Sequence, residues 1–398
     1  MRIKALLIFL VFVLVFPLFA QDNKIVISVT GKNIDNNALA RMIRDYLVQT
    51  NIFDEYAVLS VGGLPDAMKV NSFADISVTQ EYQDGALGKK INARVENYDI
   101  PDTEPVFLMF SNHPEKVASY GVLFNASCVF KKKVRLQFYH LSAMKDKNPY
   151  FSLRFYNPDN TKTAKIHISG DMQGPSENFM KVGHQNNIGF LNKKNNKTGI
   201  VYEIKPGGAL TLFNEEMPDG KLFCGIYEMY LIEGPPVWFY MFSNKTKDEK
   251  PVYPEVSSTD THAKGVYTVT DFNYDVKFET GEKEKYITFG DTPLRNIFPE
   301  KKLAGDYGAI YNINLSAQET TGKSGRLEII FQPRGGGATG TFIVDGRLIE
   351  IGSTKAKIEK KIWSYNLRSY ERRVIKIKTM PEGASNYPVR IIFRFVKC

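Results

Sequence analysis

The chain has 398 residues, a formal charge of +9, 13% aromatic side chains and three cysteines. The cysteines show no CxxC spacing and no Cys/His cluster, which argues against a structural zinc site. The positive charge is local: residues 353–398 hold twelve Lys and Arg against three Glu, and the rest of the chain after residue 20 is slightly negative.

Arg2 and Lys4 precede the apolar run ALLIFLVFVLVF (5–16), followed by Pro17 and Leu18-Phe19-Ala20. This is the layout of a Sec-type signal peptide, residues 1–20, cleaved after Ala20. An uncleaved anchor is the alternative, but a spanning helix needs about twenty apolar residues. No later segment reaches that length. The mature chain is therefore expected to be exported, to be secreted, periplasmic or at the cell surface, and to carry no transmembrane helix.

Residues 21–100 read as a small α/β module. KIVISV (24–29) is a strand, and Asp35 or Asn36 can cap a helix running to about Gln49. Leu39, Met42, Ile43, Tyr46 and Leu47 recur there at helical spacing. AVLSV (57–61), ADISVTQEY (74–82) and INARVENYDI (91–100) follow as strands. KIVISV, the helix after it and ADISV resemble the N-terminal domain of the periplasmic protein TolB and related envelope modules.

After Pro101 the sequence predicts no helix. Short alternating segments separated by Asn, Asp, Gly and Pro suggest immunoglobulin-like β-sandwiches. One sandwich is expected over 101–245, a linker over 246–263, and a second sandwich over 264–398. The two read as copies. Tyr120–Asn125 matches Tyr307–Asn312, Met217–Gly220 matches Met380–Gly383, and Pro236-Val237 matches Pro388-Val389. FYNPDNTKTAKIHISG (155–170) also aligns with FQPRGGGATGTFIVDG (331–346). The layout of YGVLF (120–124), YH (139–140), NP and PRGG (333–336) is similar to that of secreted bacterial tandem β-sandwich proteins without an assigned activity. The fold class expected is mainly β: two tandem antiparallel β-sandwiches after a small α/β module.

Candidate chemistry is sparse. A P-loop needs GxxxxGK[ST] between a strand and a helix, whereas Thr341-Phe342 follows Gly340 and an Asp345-Gly346 hairpin turn comes next. Asp271, Asn273, Asp275 and Glu282 copy calcium-loop spacing, but Val276 stands where the loop requires glycine. The run alternates like a strand, with Phe272, Tyr274, Val276 and Phe278 on one face. His113, His140, His167, His184 and His262 show no HxH or HExxH spacing, and no GxSxG elbow occurs. Cys128 and Cys224 can form a disulfide in an exported protein or stay buried as thiols, and Cys398 is left over. No cofactor and no metal are expected.

The basic C-terminal region gives the positive clue. Arg372, Lys376 and Lys378 share one face of a strand, and Arg390 and Arg394 share one face of the next. If both strands lie in one sheet, they form a cationic surface with Arg334 nearby. Trp363, Tyr365 and Tyr370 can stack on sugar rings or belong to a core face. These features suggest an exported, non-catalytic envelope protein for structure, adhesion or binding, with an anionic polymer or other envelope proteins as partners. Binding of acidic glycans is the second reading, and a hydrolase with carboxylates assembled in space is the third. Nucleic acid is not an expected partner.

Overall fold

The computed structural model describes residues 24–397 except 83–84, 146, 248–253 and 298–301. The proposed leader, part of the linker and Cys398 lie outside the described residues. The N-terminal segment contains β1 (Ile25–Thr30), β2 (Asn33–Asp35), α1 (Asn36–Gln49), β3 (Val58–Gly62), β4 (Ala67–Lys69), β5 (Ser72–Glu81) and β6 (Leu87–Tyr98). Asp35 caps α1 by accepting from the Ala38 amide at 2.8 Å, which meets a donor orphaned at the helix start. Leu39, Ile43 and Leu47 then bury one stripe of α1 on the sheet.

The first sandwich contains β7 (Phe107–Ser111), β8 (Lys116–Val117), β9 (Gly121–Cys128), β10 (Lys133–Ser142), β11 (Tyr150–Tyr156), β12 (Ala164–Ser176) and α2 (Phe179–Asn196). It continues with β13 (Gly199–Ile204), β14 (Ala209–Glu216), β15 (Leu222–Glu233) and β16 (Val237–Asn244), and β17 (Lys264–Tyr267) follows. The second sandwich contains β18 (Asp271–Glu279), β19 (Lys285–Phe289), β20 (Ile310–Gln318), β21 (Gly325–Pro333), β22 (Ala338–Val344), β23 (Arg347–Thr354), β24 (Lys360–Leu367), β25 (Arg372–Thr379) and β26 (Val389–Lys397).

The two sandwiches repeat one strand order. The run β7-β10-β15-β12-β13 corresponds to the five-stranded sheet β18-β20-β25-β22-β23, and β14-β11-β16-β9 corresponds to β24-β21-β26-β19. Both copies depart from the expected antiparallel pattern where β7 and β10, and likewise β18 and β20, pair in parallel, and β8 of the first copy also pairs in parallel with β10. Two of the sequence matches fall on equivalent strands: 155–170 against 331–346, and Pro236 against Pro388. The other two do not. Tyr120 leads into β9 whereas Tyr307 leads into β20, and Met217 precedes β15 whereas Met380 follows β25. Tyr-Gly strand starts and Pro-Asp/Glu-Gly turns recur because turns demand those residue types, so such matches need not mark common positions.

The three largest hydrophobic clusters follow the segments read from the sequence, but strand pairing crosses between them. β1 pairs in parallel with β6 and antiparallel with β13, so the N-terminal strands extend the first sandwich's large sheet. Likewise β17, placed by the sequence in the second sandwich, pairs with β7 of the first. An open strand edge offers unpaired amides and carbonyls, and β17 covers the one β7 presents.

Helix α2 is the larger correction. It lies between the two sandwiches, packed on β12 and β15 of one and on β22 and β23 of the other. Asn178 caps its start and Lys197, in the left-handed conformation, ends it. Composition explains why the sequence hid it: Val182, Gly183, Asn186, Asn187, Phe190 and Leu191 share one buried face, but half of them are glycine or asparagine, so no apolar stripe shows. A Cβ added to Gly183 would stand 1.9 Å from the Gly383 carbonyl oxygen, so a glycine is what lets the helix approach. No helix among the described residues is long and apolar enough to cross a membrane.

The alternation of β15 also decides the disulfide question. Phe223 faces the first sandwich's interior together with Cys128, whereas Cys224 faces α2 beside Val182. The sheet separates the two sulfurs, and both are free, buried thiols. Burial pushes each up to about 12, and a protonated thiol is a poor nucleophile. A Cys398→Ser chain should therefore take up no thiol reagent when native and react at both positions once unfolded in guanidinium. Absence of reaction in the unfolded chain would mean a disulfide.

Candidate functional site

The cations expected to share a surface are divided between opposite layers. Arg372, Lys376 and Lys378 stand on β25 in the five-stranded sheet, while Arg390 and Arg394 stand on β26 in the four-stranded sheet. Most are also engaged. Arg394 donates to Glu284 at 2.7 Å and to Glu359 at 2.8 Å, and the Arg390 guanidinium sits 4.1 Å over the Tyr286 ring. Arg372 donates to Ser316 at 3.1 Å and Arg334 to Gln332 at 3.3 Å. The glycines beside Arg334 form a crossing between sheets. The amides of Arg334 and Gly335 both donate to the Pro388 carbonyl at 2.9 Å, and a Cβ on Gly335 would meet the Tyr387 oxygen at 2.3 Å.

The proposed stacking residues also separate. Trp363 and Tyr365 pack on the rim of the second core, 6.5 Å apart and edge-on. Arg347 covers Trp363, Arg373 covers Tyr365, and the Tyr365 hydroxyl donates to Asp345 at 2.6 Å. Tyr370 is 72% exposed in the turn before β25 and makes no platform with them. Trp238 is 43% exposed, across from Tyr156 on the outer face of β16 and β11.

A different group of charges is brought together at the junction of the N-terminal strands, the first sandwich and α2. Along β10, the residues Val134, Leu136 and Phe138 enter the first core. Strand alternation turns Lys133, Arg135, Gln137 and Tyr139 the other way. Arg135 lies directly across from Glu228 of β15 in the sheet register. It is fully buried and uses all five of its N–H donors. Nε and Nη2 donate to Glu228 at 3.1 and 2.8 Å, and Nη2 donates to Asp271 at 2.9 Å. Nη1 donates to the carbonyls of Thr270 and Gly308, both at 2.8 Å. Asp271, Thr270 and Gly308 belong to the strand and loops that open the second sandwich, so one guanidinium joins the two units.

Glu228 also accepts from Lys194 of α2 at 2.8 Å. Burial raises this carboxyl, but Arg135, Lys194 and Lys133 outweigh it and hold the group down at about 2. Lys133 completes the cluster. It is only 7% exposed, and its ammonium makes no hydrogen bond among the described residues and approaches Glu228 no closer than 4.0 Å. Burial lowers its pKa, with Glu228 acting in the opposite direction. The buried Lys133 and Arg135 and the part-buried Lys194 thus face the carboxylates of Glu228 and Asp271.

The excess charge opens into a cavity of about 100 Å³. Its walls include Thr30 and Lys32 after β1, Asp99 and Asp102 after β6, His167 and Ser169 of β12, and Lys193, Lys194 and Lys197 at the end of α2. The lysines of α2 complement the negative end of the helix dipole. Lys133 has no such explanation. His167 is neutral: burial and nearby Lys133 push it down to about 3, and its Nε2 lies 2.9 Å from the Thr30 hydroxyl. Of the six cations named from the sequence, Lys378 alone reaches this neighbourhood. Burial and Lys194 lower its pKa, while Asp102, Asp271 and Glu228 act on it with opposite sign.

No family model matches the chain. No curated protein matches it either. Among solved structures it is similar to the PBSX exported protein XepA, over 69% of this chain and 86% of that one, at 10% identity with a TM-score of 0.17. It is also similar to an anti-sigma factor domain-containing protein from Clostridium clariflavum (68% and 81% covered, 9% identity, TM-score 0.16). A third, Lac15 from a marine microbial metagenome, shares 11% identity over 83% of this chain and 73% of that one, with a TM-score of 0.13. Such scores carry no argument, and the site has to be read from its own chemistry.

Lysines outnumber carboxylates in its lining. A buried ammonium without a hydrogen-bonded partner is costly. An oxyanion beside Lys133 would supply both the missing acceptors and the missing charge.

Proposed function

We propose that the chain is an exported, non-catalytic protein of the cell envelope that binds an anionic polymer through the cationic cavity. The observation that carries this reading is Lys133, a largely buried side chain that approaches Glu228 no closer than 4.0 Å and opens on a cavity walled by further lysines. The leader-like residues 1–20 support export, and the small cavity suits one carboxylate, phosphate or sulfate group of a repeating acidic chain. The division of the predicted basic face between two sheets favours a local pocket over a broad adhesive surface.

The test is retention of residues 21–398 on immobilised polygalacturonate. The expected result is retention at low salt and release as ionic strength approaches about 1 M, where screening reaches only a few ångströms. Lys133→Gln, which keeps the length and removes the charge, should lower retention about tenfold. Equal retention of both proteins would refute the assignment.

A further inference from the structure

One end of the first sandwich exposes large apolar side chains next to one another. Val129, Phe130, Trp238 and Tyr156 are 49, 45, 43 and 40% exposed. Strand register makes them neighbours. Trp238 of β16 stands across from Tyr156 of β11 on one side and from Ser127 of β9 on the other. Paired strands lie about 4.8 Å apart. Val129 follows two residues after Ser127, and Phe130 comes next in the turn from β9 to β10. That turn is tied down: Phe130 bridges to Leu231, and the Lys131 amide donates to the Leu231 carbonyl at 2.9 Å. Single exposed apolar residues are ordinary, but a contiguous group of four marks an interaction surface.

The charges around this strip select what covers it. Lys131 and Lys132 are exposed in the same turn, and the Lys131 ammonium lies 5.1 Å from the centre of the Phe130 ring. The loops after β11 and β13 close the same end of the sandwich. They are joined where the Asn157 amide donates to the Gly208 carbonyl at 3.0 Å and the Gly207 amide to the Asp159 carbonyl at 2.8 Å. These loops add the exposed Lys162 and Lys205. The carboxylates on these elements are engaged. Asp159 accepts from the amides of Thr161 and Lys162, both at 2.7 Å, and Lys165 lies 3.2 Å from Glu203 and 4.0 Å from Glu233. Trp and Tyr rings settle at the boundary between headgroups and acyl chains, and Phe and Val enter the acyl edge. Lysines beside them are drawn to anionic headgroups, so apolar area and charge add in binding. We propose that this end of the first sandwich docks on an anionic lipid bilayer. Val129, Phe130, Trp238 and Tyr156 enter the interface, and Lys131, Lys132, Lys162 and Lys205 face the headgroups.

The strip is separate from the cationic cavity, so a chain retained on polygalacturonate but absent from vesicle pellets would overturn this proposal alone. Residues 21–398 should co-sediment at low salt with vesicles of phosphatidylglycerol and phosphatidylcholine. Binding to phosphatidylcholine alone should be weaker by about tenfold or more. Phe130→Ser should weaken binding to the mixed vesicles about tenfold, with native circular dichroism because the side chain is exposed. The chain has two tryptophans, so Trp363→Phe leaves Trp238 as the only one. Its emission should move to shorter wavelength on mixed vesicles and be quenched by brominated acyl chains. The proposal is overturned if mixed vesicles do not pellet the protein, if Phe130→Ser pellets as well as the parent chain, or if Trp238 emission does not change. An emission shift with polygalacturonate and none with vesicles would make the strip a glycan surface and overturn it equally.

Discussion

Arg135→Met is expected to lower the unfolding free energy by about 3–5 kcal/mol, read as a fall in the denaturant midpoint. The methionine fills much of the volume, so the loss is electrostatic. It leaves Glu228 with its lysines alone, strands Asp271, and removes the donors to the Thr270 and Gly308 carbonyls. Arg135→Lys should rescue little, because an ammonium offers three donors where five are used, without the planar fork. The same network sets the acid limit. The Glu228 carboxyl is held from its ordinary 4.5 down to about 2. Its contribution is thus fully present above about pH 4.5 and is lost as the pH falls through about 2. Without the guanidinium, burial dominates the carboxyl's environment, and acid unfolding should begin at higher pH. A variant with unchanged midpoint and acid limit would show that the junction does not bear on stability.

Gly183→Val should act on docking and leave each sandwich's interior intact. Its first added carbon would overlap the Gly383 carbonyl oxygen, a backbone atom that cannot rotate away. Overpacking of this kind costs about 1–3 kcal/mol, and here the cost falls on the contact between α2 and the second sandwich. The neighbouring bond from His184 to Glu382, 2.8 Å long, would be strained with it. The expected result in small-angle scattering is a larger radius of gyration with unchanged strand content by circular dichroism. Gly352→Ala, where an added carbon meets nothing within 4 Å, should change neither. An unaltered radius for Gly183→Val would mean the helix does not hold the sandwiches together.

The sheets were legible because alternation survives wherever one strand face is a core, as in Phe272, Tyr274, Val276 and Phe278 of β18. Helix α2 was not, because its buried face includes Gly183, Asn186 and Asn187 in place of apolar side chains, and its two glycines and several asparagines have low helix propensity. The cationic surface failed for a topological reason: β25 and β26 are adjacent in sequence but cross from one sheet to the other. The site itself left a signal that went unused. In KVRLQFYHL (133–141), Lys133, Arg135, Gln137 and Tyr139 alternate with Val134, Leu136 and Phe138, which marks a polar strand face. Only the fold shows that α2 and the second sandwich bury that face. Its counterpart, β20, carries Asn312, Asn314 and Ser316 instead, so the repeated strand order gave no hint of the charge.

The central claim is that Lys133 faces a cavity built to hold an anion. Crystals soaked in selenate and measured at the selenium edge test it directly. An anomalous peak within hydrogen-bonding distance of Lys133 Nζ, absent from Lys133→Gln crystals, is the predicted result. Anomalous peaks at other surface cations with none in this cavity would contradict it.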